Sequence, residues 1–140
     1  MSEENVAFVR GLFEGAGDLD KQALLSILPE AVAQAFTEDA VWEEHPDRAD
    51  QQVWRGHEGI LASWMRWLDQ WDEYTFEIGD VEDHGDRVFV VGHEHARGQS
   101  SGANVSATNY MVLTFRDGKI ARYQEFYDEQ QARAALTESG

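Results

Sequence analysis

Apolar positions recur at two different periods along the chain, and the change of period divides it. Near the N-terminus, Val6, Val9, Leu12 and Phe13 fall at helical spacing. Ser2 can cap the start of that helix, and the "GAGD" run stops it. A second helical stretch carries Leu24, Leu25, Ile27 and Leu28 and then meets Pro29, whose missing N–H predicts a helix broken or restarted there. "AVWEE", Ala40 to Glu44, reads as a short strand. A brief strand around Val53 and Trp54 ends at Gly56, and the clearest helix then runs from about His57 to Trp71. Ile60, Leu61, Trp64, Trp67, Leu68 and Trp71 form one broad apolar stripe on it, the face of a large helix packed on something flat.

From Tyr74 onward the period is two. Tyr74, Phe76 and Ile78 alternate with polar residues, and an "HGD" turn follows at His84. "RVFVVGHEHARGQ" is a long strand, and Ser100 to Asn104 read as a turn. The segment from Val105 to Asp128 is a hairpin with "RDGK" at its tip, where Asp-Gly supplies the positive-φ residues a tight turn needs. Asp128 caps a last short helix, with Gln131 in the capping-box position. Helices first, then a short strand, a helix and several antiparallel strands predict an α+β fold with helices on one face of a curved sheet. The length of 140 residues fits a single domain over 1–140, and no repeat, low-complexity tract or linker divides it.

Composition narrows the function classes. A chain that is 42% apolar can bury a core, and its aromatic residues supply large apolar area. The formal net charge of -16 repels phosphate backbones and anionic lipid, so neither nucleic acid nor membrane is expected as a partner. With no Cys there is no disulfide framework, thiolate nucleophile or zinc–cysteine site. The first ten residues lack the features of a signal peptide and no apolar run reaches a membrane-spanning length, which makes the cytoplasm the expected location. No G-x-S-x-G elbow is present, and the glycine-containing turns lack the spacing of a phosphate loop.

The titratable residues gather at strand ends. In "DAVWEEHPD" alternation places Trp42 and Glu44 on one face, with Val41, Glu43 and His45 on the other. A carboxylate beside Trp in an apolar cavity has its pKa raised by desolvation, toward a useful acid or base; a solvated strand end is the plain alternative. In "GHEHARG", His93 and His95 share one face and Glu94 takes the other. Facing inward, the two His are pocket residues; a His-x-His pair can also hold a metal, with Glu44 or Glu125 as a third ligand. On the last strand one face carries Ala121, Tyr123, Glu125 and Tyr127, and the other Ile120, Arg122, Gln124 and Phe126. Alternation alone does not choose between them; the first is taken as concave. Asn109 and Met111, or Tyr110 if the face is reversed, lie on the neighbouring strand, and Asn109 could donate to a developing oxyanion.

The element order and the strings "GDLD", "VWEEHP", "WRGHEGI" and "FRDGKIARYQEFYD" resemble SnoaL-like proteins of the nuclear transport factor 2-like superfamily. The resemblance implies a cone-shaped, curved antiparallel sheet wrapped around a long helix, with N-terminal helices and an apolar cavity at one end. Relatives include ketosteroid isomerase, limonene-epoxide hydrolase, polyketide cyclases and non-catalytic binders, so fold alone does not name a reaction. The isomerase's general base would correspond to Glu44, with His45 the alternative if the register slips by one. Its oxyanion-holding Tyr has Arg10 at the matching place, so a steroid isomerase is not expected. Where the epoxide hydrolase carries an Arg and an Asp two apart, this chain has His93 and His95, and Glu125 matches an acid on the last strand. The superfamily works mostly without metal, so neither a metal nor a cofactor is expected. Two readings follow. One is acid–base chemistry on a small apolar molecule by Glu44, His93, His95 and Glu125, with Trp42, His45, Trp54, Trp64, Trp67, Asn109, Met111, Tyr123 and Tyr127 around it. The other is a binding module walled by its five Trp, Trp71 included, or a homodimer paired through Phe89, Tyr110 and Phe126.

Overall fold

A computed structural model describes residues 2–13, 20–44, 46, 51–98 and 104–137. The elements follow in the order α1 (Ser2–Phe13), α2 (Lys21–Ala35), β1 (Phe36–Glu43), β2 (Val53–Arg55), α3 (Gly56–Leu68), β3 (Trp71–His84), β4 (Arg87–Gly98), β5 (Asn104–Arg116), β6 (Lys119–Phe126) and α4 (Glu129–Leu136). The strands form one curved, unclosed sheet in the order β2-β1-β6-β5-β4-β3. This is the α+β layout that the change of period predicts. One joint departs from an all-antiparallel sheet: β1 runs parallel to β6. A parallel pair needs a long crossover, and the chain from β2 through β5 supplies it.

Two helix boundaries differ from the periodicity. The second helix is not broken at Pro29, which lies inside a continuous α2. Pro29 is exposed, whereas Leu28, Val32 and Ala35 bury the opposite side, so packing holds both halves in one helix despite the lost hydrogen bond. Asp20 caps that helix by accepting from the Ala23 N–H at 2.8 Å. The third helix stops at Leu68 rather than Trp71, its end closed by the Asp69 N–H on the Met65 carbonyl. Trp71 opens β3 opposite Gly98, yet its ring still packs on Trp67 at 5.5 Å. The expected stop at 15–18, the turn at 100–103, and His45 with residues 47–50 lie outside the described residues, as does the Ser2 side chain expected to cap α1; Asn104 opens β5.

The β5–β6 turn is built as its sequence demands, with Asp117 at φ 54° and Gly118 at φ 80°. Asp128 accepts from the Gln130 N–H at 3.0 Å and caps α4. The capping box is not closed, because the Gln131 Oε1 makes no hydrogen bond.

Helices α1 to α3 cover the inner face of the sheet. The main core lies between them and includes Val9, Ile60, Leu68, Val88, Val90, Leu113 and Ile120, all 0% exposed. A second, smaller core sits on the outer face, where Ala132 and Ala135 of α4 cover Phe89, Val112 and Phe126. This corrects the expected pairing surface: Phe89 and Phe126 are buried under the chain's own helix, and Tyr110 packs against the same cluster. Among the described residues no helix is long and apolar enough to cross a membrane.

Candidate functional site

Directly paired residues in an antiparallel ladder point to the same side, so the strand register fixes the inner face. Gly92 of β4 pairs with Ile78 on β3 and Asn109 on β5, and Glu94 pairs with Phe76 and Ala107. Met111 pairs with Glu125 and Leu113 with Tyr123. The register shifts between Thr114 and Phe115, where Arg122 faces Thr114 and Ile120 faces Phe115. The extra residue on β6 is a bulge that breaks simple alternation. Ile120 and Tyr123 therefore both reach the main core, and neither alternating set on this strand is wholly inward. Tyr123 and Glu125 face in. Arg122 instead meets Glu43 of β1, and Phe126 lies under α4.

The inward residues surround a cavity of about 40 Å³. Helix α3 supplies Ser63, Trp64, Arg66 and Trp67 to its wall. The sheet supplies Trp42, Tyr74, Phe76, Glu94, Asn109, Met111, Tyr123 and Glu125. Glu44, Gln70 and Tyr127 complete it. Gly92 makes the packing behind this wall possible: a Cβ there would lie 2.6 Å from the Phe76 ring and 2.8 Å from the Met111 methyl. A second, apolar cavity of about 100 Å³ lies beside the first, between α1, α2 and the sheet. Trp42, Trp64, Phe76 and Tyr123 border both chambers.

Three carboxylates reach the first cavity, each in a different setting. Glu44 is 6% exposed, and both its oxygens are occupied: Oε1 accepts from the Gln52 N–H at 3.0 Å and Oε2 from the Trp54 indole at 2.9 Å. With Gln51 donating to the Glu44 carbonyl, it ties β1 to β2. Glu125 accepts from the Trp42 indole at 2.6 Å. Glu94 accepts from the Tyr74 hydroxyl at 2.6 Å. Burial, and after it the Glu94 charge, push the Tyr74 phenol well above its ordinary range, against a smaller pull from the Trp67 side chain. Burial likewise raises Tyr123, with Glu125 and then Glu94 adding to it. Both phenols are therefore neutral donors near pH 7. The Tyr123 hydroxyl spends its proton on the Met111 sulfur at 2.6 Å, a weak acceptor.

The sequence-derived candidates divide accordingly. Glu44, Glu125, Trp42, Trp64, Trp67, Asn109, Met111, Tyr123 and Tyr127 line one cavity. Trp54 does not line it; its indole holds Glu44 from β2. His93 and His95 are corrected in place. They pair with Glu77 and Thr108, and with Thr75 and Ser106, on the outer face. His93 Nδ1 lies 3.3 Å from the Thr108 hydroxyl, and His95 Nδ1 lies 3.0 Å from that of Ser106. The sheet separates both from Glu44 and Glu125, so these four cannot share one metal ion. The matching helix position Arg10 is exposed. Glu94 and Tyr74 also line the cavity, and sequence reasoning passed them over as site candidates. The available signal was the small residues beside Glu94: Gly92 and Ala96 share its face, leaving room for large inward side chains from the neighbouring strands.

Residues 15–123 match the model of the SnoaL-like domain, and the chain belongs to that family. A putative SnoaL-like polyketide cyclase from Jannaschia sp. CCS1 is 18% identical with a TM-score of 0.74, over 99% of this chain and 95% of the other. TerC, solved with polyporic acid, is 17% identical with a TM-score of 0.70, over 96% and 99%. A Catenulispora acidiphila protein with a ketosteroid isomerase-like fold, solved in complex with trimethylamine, is 18% identical with a TM-score of 0.64, over 81% and 88%. At these identities the likeness is one of fold. No curated protein sequence matches the chain.

Proposed function

We propose that this chain catalyses proton transfer on a small, largely apolar compound enclosed by the first cavity. Its reaction belongs to the isomerase, cyclase, dehydratase or hydrolase types that move a proton through a carboxylate. The observation carrying this reading is the meeting of Glu94 and Glu125 with two neutral phenols, Tyr74 and Tyr123, around one aromatic-walled space. Glu94 is the base: it takes a proton from the carbon beside a carbonyl and returns it to another atom of the same compound. Tyr123 is the donor to the developing oxyanion, since a ligand oxygen is a better acceptor than the Met111 sulfur it now faces. Glu44, with both oxygens held, positions the β1–β2 connection and moves no proton.

Proton exchange in D2O tests this without knowledge of the natural substrate. A panel of cyclic ketones is followed by NMR for loss of protons next to the carbonyl. Exchange above the buffer rate is expected with the wild type, falling about 10²- to 10⁴-fold in Glu94→Gln. Exchange at the buffer rate across the panel, with ligands still bound, favours the second reading. That reading is a non-catalytic binder of apolar ligands, supported by the 100 Å³ chamber walled by Leu12, Leu24, Leu28 and Phe36.

A further inference from the structure

The polar groups lining the cavity are unequally used. The Tyr74 hydroxyl is directed at Glu94 and the Trp42 indole at Glu125, so two of the wall's own donors already have acceptors. Glu94 receives only a neutral phenol, and no cation pairs with it among the described residues. Asn109, 2% exposed and opposite Gly92 on the same inner face, leaves its buried Oδ1 with no hydrogen-bond partner. A buried amide oxygen without a partner is costly, and a ligand N–H would satisfy it. Much of the remaining wall is aromatic, with Trp42 stacked on Tyr123 at 3.7 Å and other rings near perpendicular. Trp42 and Trp64 lie 5.6 Å apart at 71°, and Trp64 and Tyr74 lie 6.4 Å apart at 79°. The face of an aromatic ring attracts positive charge and its edge does not, so a corner of this kind would hold a cation through its ring faces. Arg66, the one basic side chain among the described lining residues, is exposed. The chain's net charge of -16 adds a long-range field that draws cations in and turns anions away.

We propose that the cavity recognises a protonated amine, its charge facing Glu94, its N–H directed to Asn109 and its alkyl groups against Trp42 and Trp64. This deepens the reading of the cavity as a ligand site and adds that the small apolar compound carries a basic nitrogen. The ammonium places positive charge where Glu94 has only a neutral partner. The aromatic box favours that charge over a neutral group of the same shape.

Matched probes test it on the full chain by calorimetry and by quenching of tryptophan fluorescence. Dimethylaminoethanol, protonated at pH 7, is compared with the neutral isostere 3-methylbutan-1-ol. The ammonium is expected to bind at least tenfold more tightly in the wild type and to weaken with added salt. Glu94→Gln is expected to remove that preference while leaving the alcohol's affinity unchanged. Choline, which keeps the charge and lacks the N–H, is expected to bind more weakly than dimethylaminoethanol in the wild type and equally in Asn109→Leu. Equal wild-type affinity for ammonium and alcohol overturns the proposal without any variant. A preference that survives Glu94→Gln in folded protein also overturns it. Cation binding without proton exchange leaves the proposal standing and sinks the catalytic reading; exchange on neutral ketones with no preference for ammonium does the reverse.

Discussion

Strand β4 carries two different electrostatic arrangements on its two faces. Inward, Val88 and Val90 pack in the main core, and Glu94 reaches the cavity with a neutral phenol as its partner. Outward, Phe89 lies under α4, while His93 and His95 sit in a polar ladder with Thr108 and Ser106. Two outer-face carboxylates are matched with guanidinium groups. Glu43 takes two bonds from Arg122, at 2.6 and 3.1 Å, and Glu82 takes two from Arg133, at 2.9 and 3.2 Å. Glu43 and Glu82 are each met by an arginine from a neighbouring strand or helix. Glu94 is met by a hydroxyl instead, which suits the ligand-facing role proposed for it.

The contrast breaks most clearly at Glu94 against its strand neighbours. Glu94→Gln keeps the shape and leaves an oxygen for Tyr74, so stability should change little while proton exchange falls about 10²- to 10⁴-fold. His93→Gln and His95→Gln should leave the exchange rate within about twofold, since the sheet screens them from the cavity. A large loss in either His variant would reverse the assignment of the faces. Tyr123→Phe comes next. Its hydroxyl bonds only a thioether, so unfolding should shift by less than about 1 kcal/mol, but loss of one oxyanion donor should slow exchange about 10²- to 10³-fold. Gly92→Ala is a steric test of the same wall. The new methyl would meet the tip of Phe76 and the end of Met111, both able to move, so a cost of about 1–3 kcal/mol is expected by denaturant unfolding. Both groups would yield toward the cavity, so ligand affinity should fall as well.

Long-period features were legible before the structure: the helical stripe of α3, the alternating strands, the Asp-Gly turn and the α+β order all follow from local patterns. Trp42 with Glu44, and Tyr123 with Glu125, were also placeable, because each pair shares a strand face. What failed was anything that needs register between strands. Inward or outward for β4 is a single binary choice, and two His looked more chemical than one Glu. Only the pairing of Glu94 with Phe76 and of Gly92 with Asn109 decides it. The β6 bulge is likewise set by pairing across to β5 and leaves no local signal. Pro29 failed for a different reason: a local cost was outweighed by burial of Leu28, Val32 and Ala35 on the other side of α2.

The outer face offers the smallest effect, readable through pH. Arg133 holds Glu82 and Glu129 and lies 4.4 Å above the Phe89 ring, fastening α4 to the sheet. Its hydrogen bonds, with a smaller one from His84, lower the Glu82 carboxyl from 4.5 to about 2. A folded-state pKa below the unfolded value stabilises above the unfolded value and is lost as pH falls. The pair's contribution is thus complete above about pH 4.5 and disappears toward pH 2. Glu82 is 39% and Arg133 43% exposed at the side chain, so solvent screening leaves only a small effect. Acid titration of unfolding between these limits should show wild type losing slightly more stability than Glu82→Gln. Hydrogen exchange at Ala132 and Ala135 should rise over the same range in wild type, while the inner face keeps its protection. Equal acid losses in the two proteins would place the acid sensitivity elsewhere. Exchange rising on both faces together would mean that α4 is not fastened independently of the cavity wall.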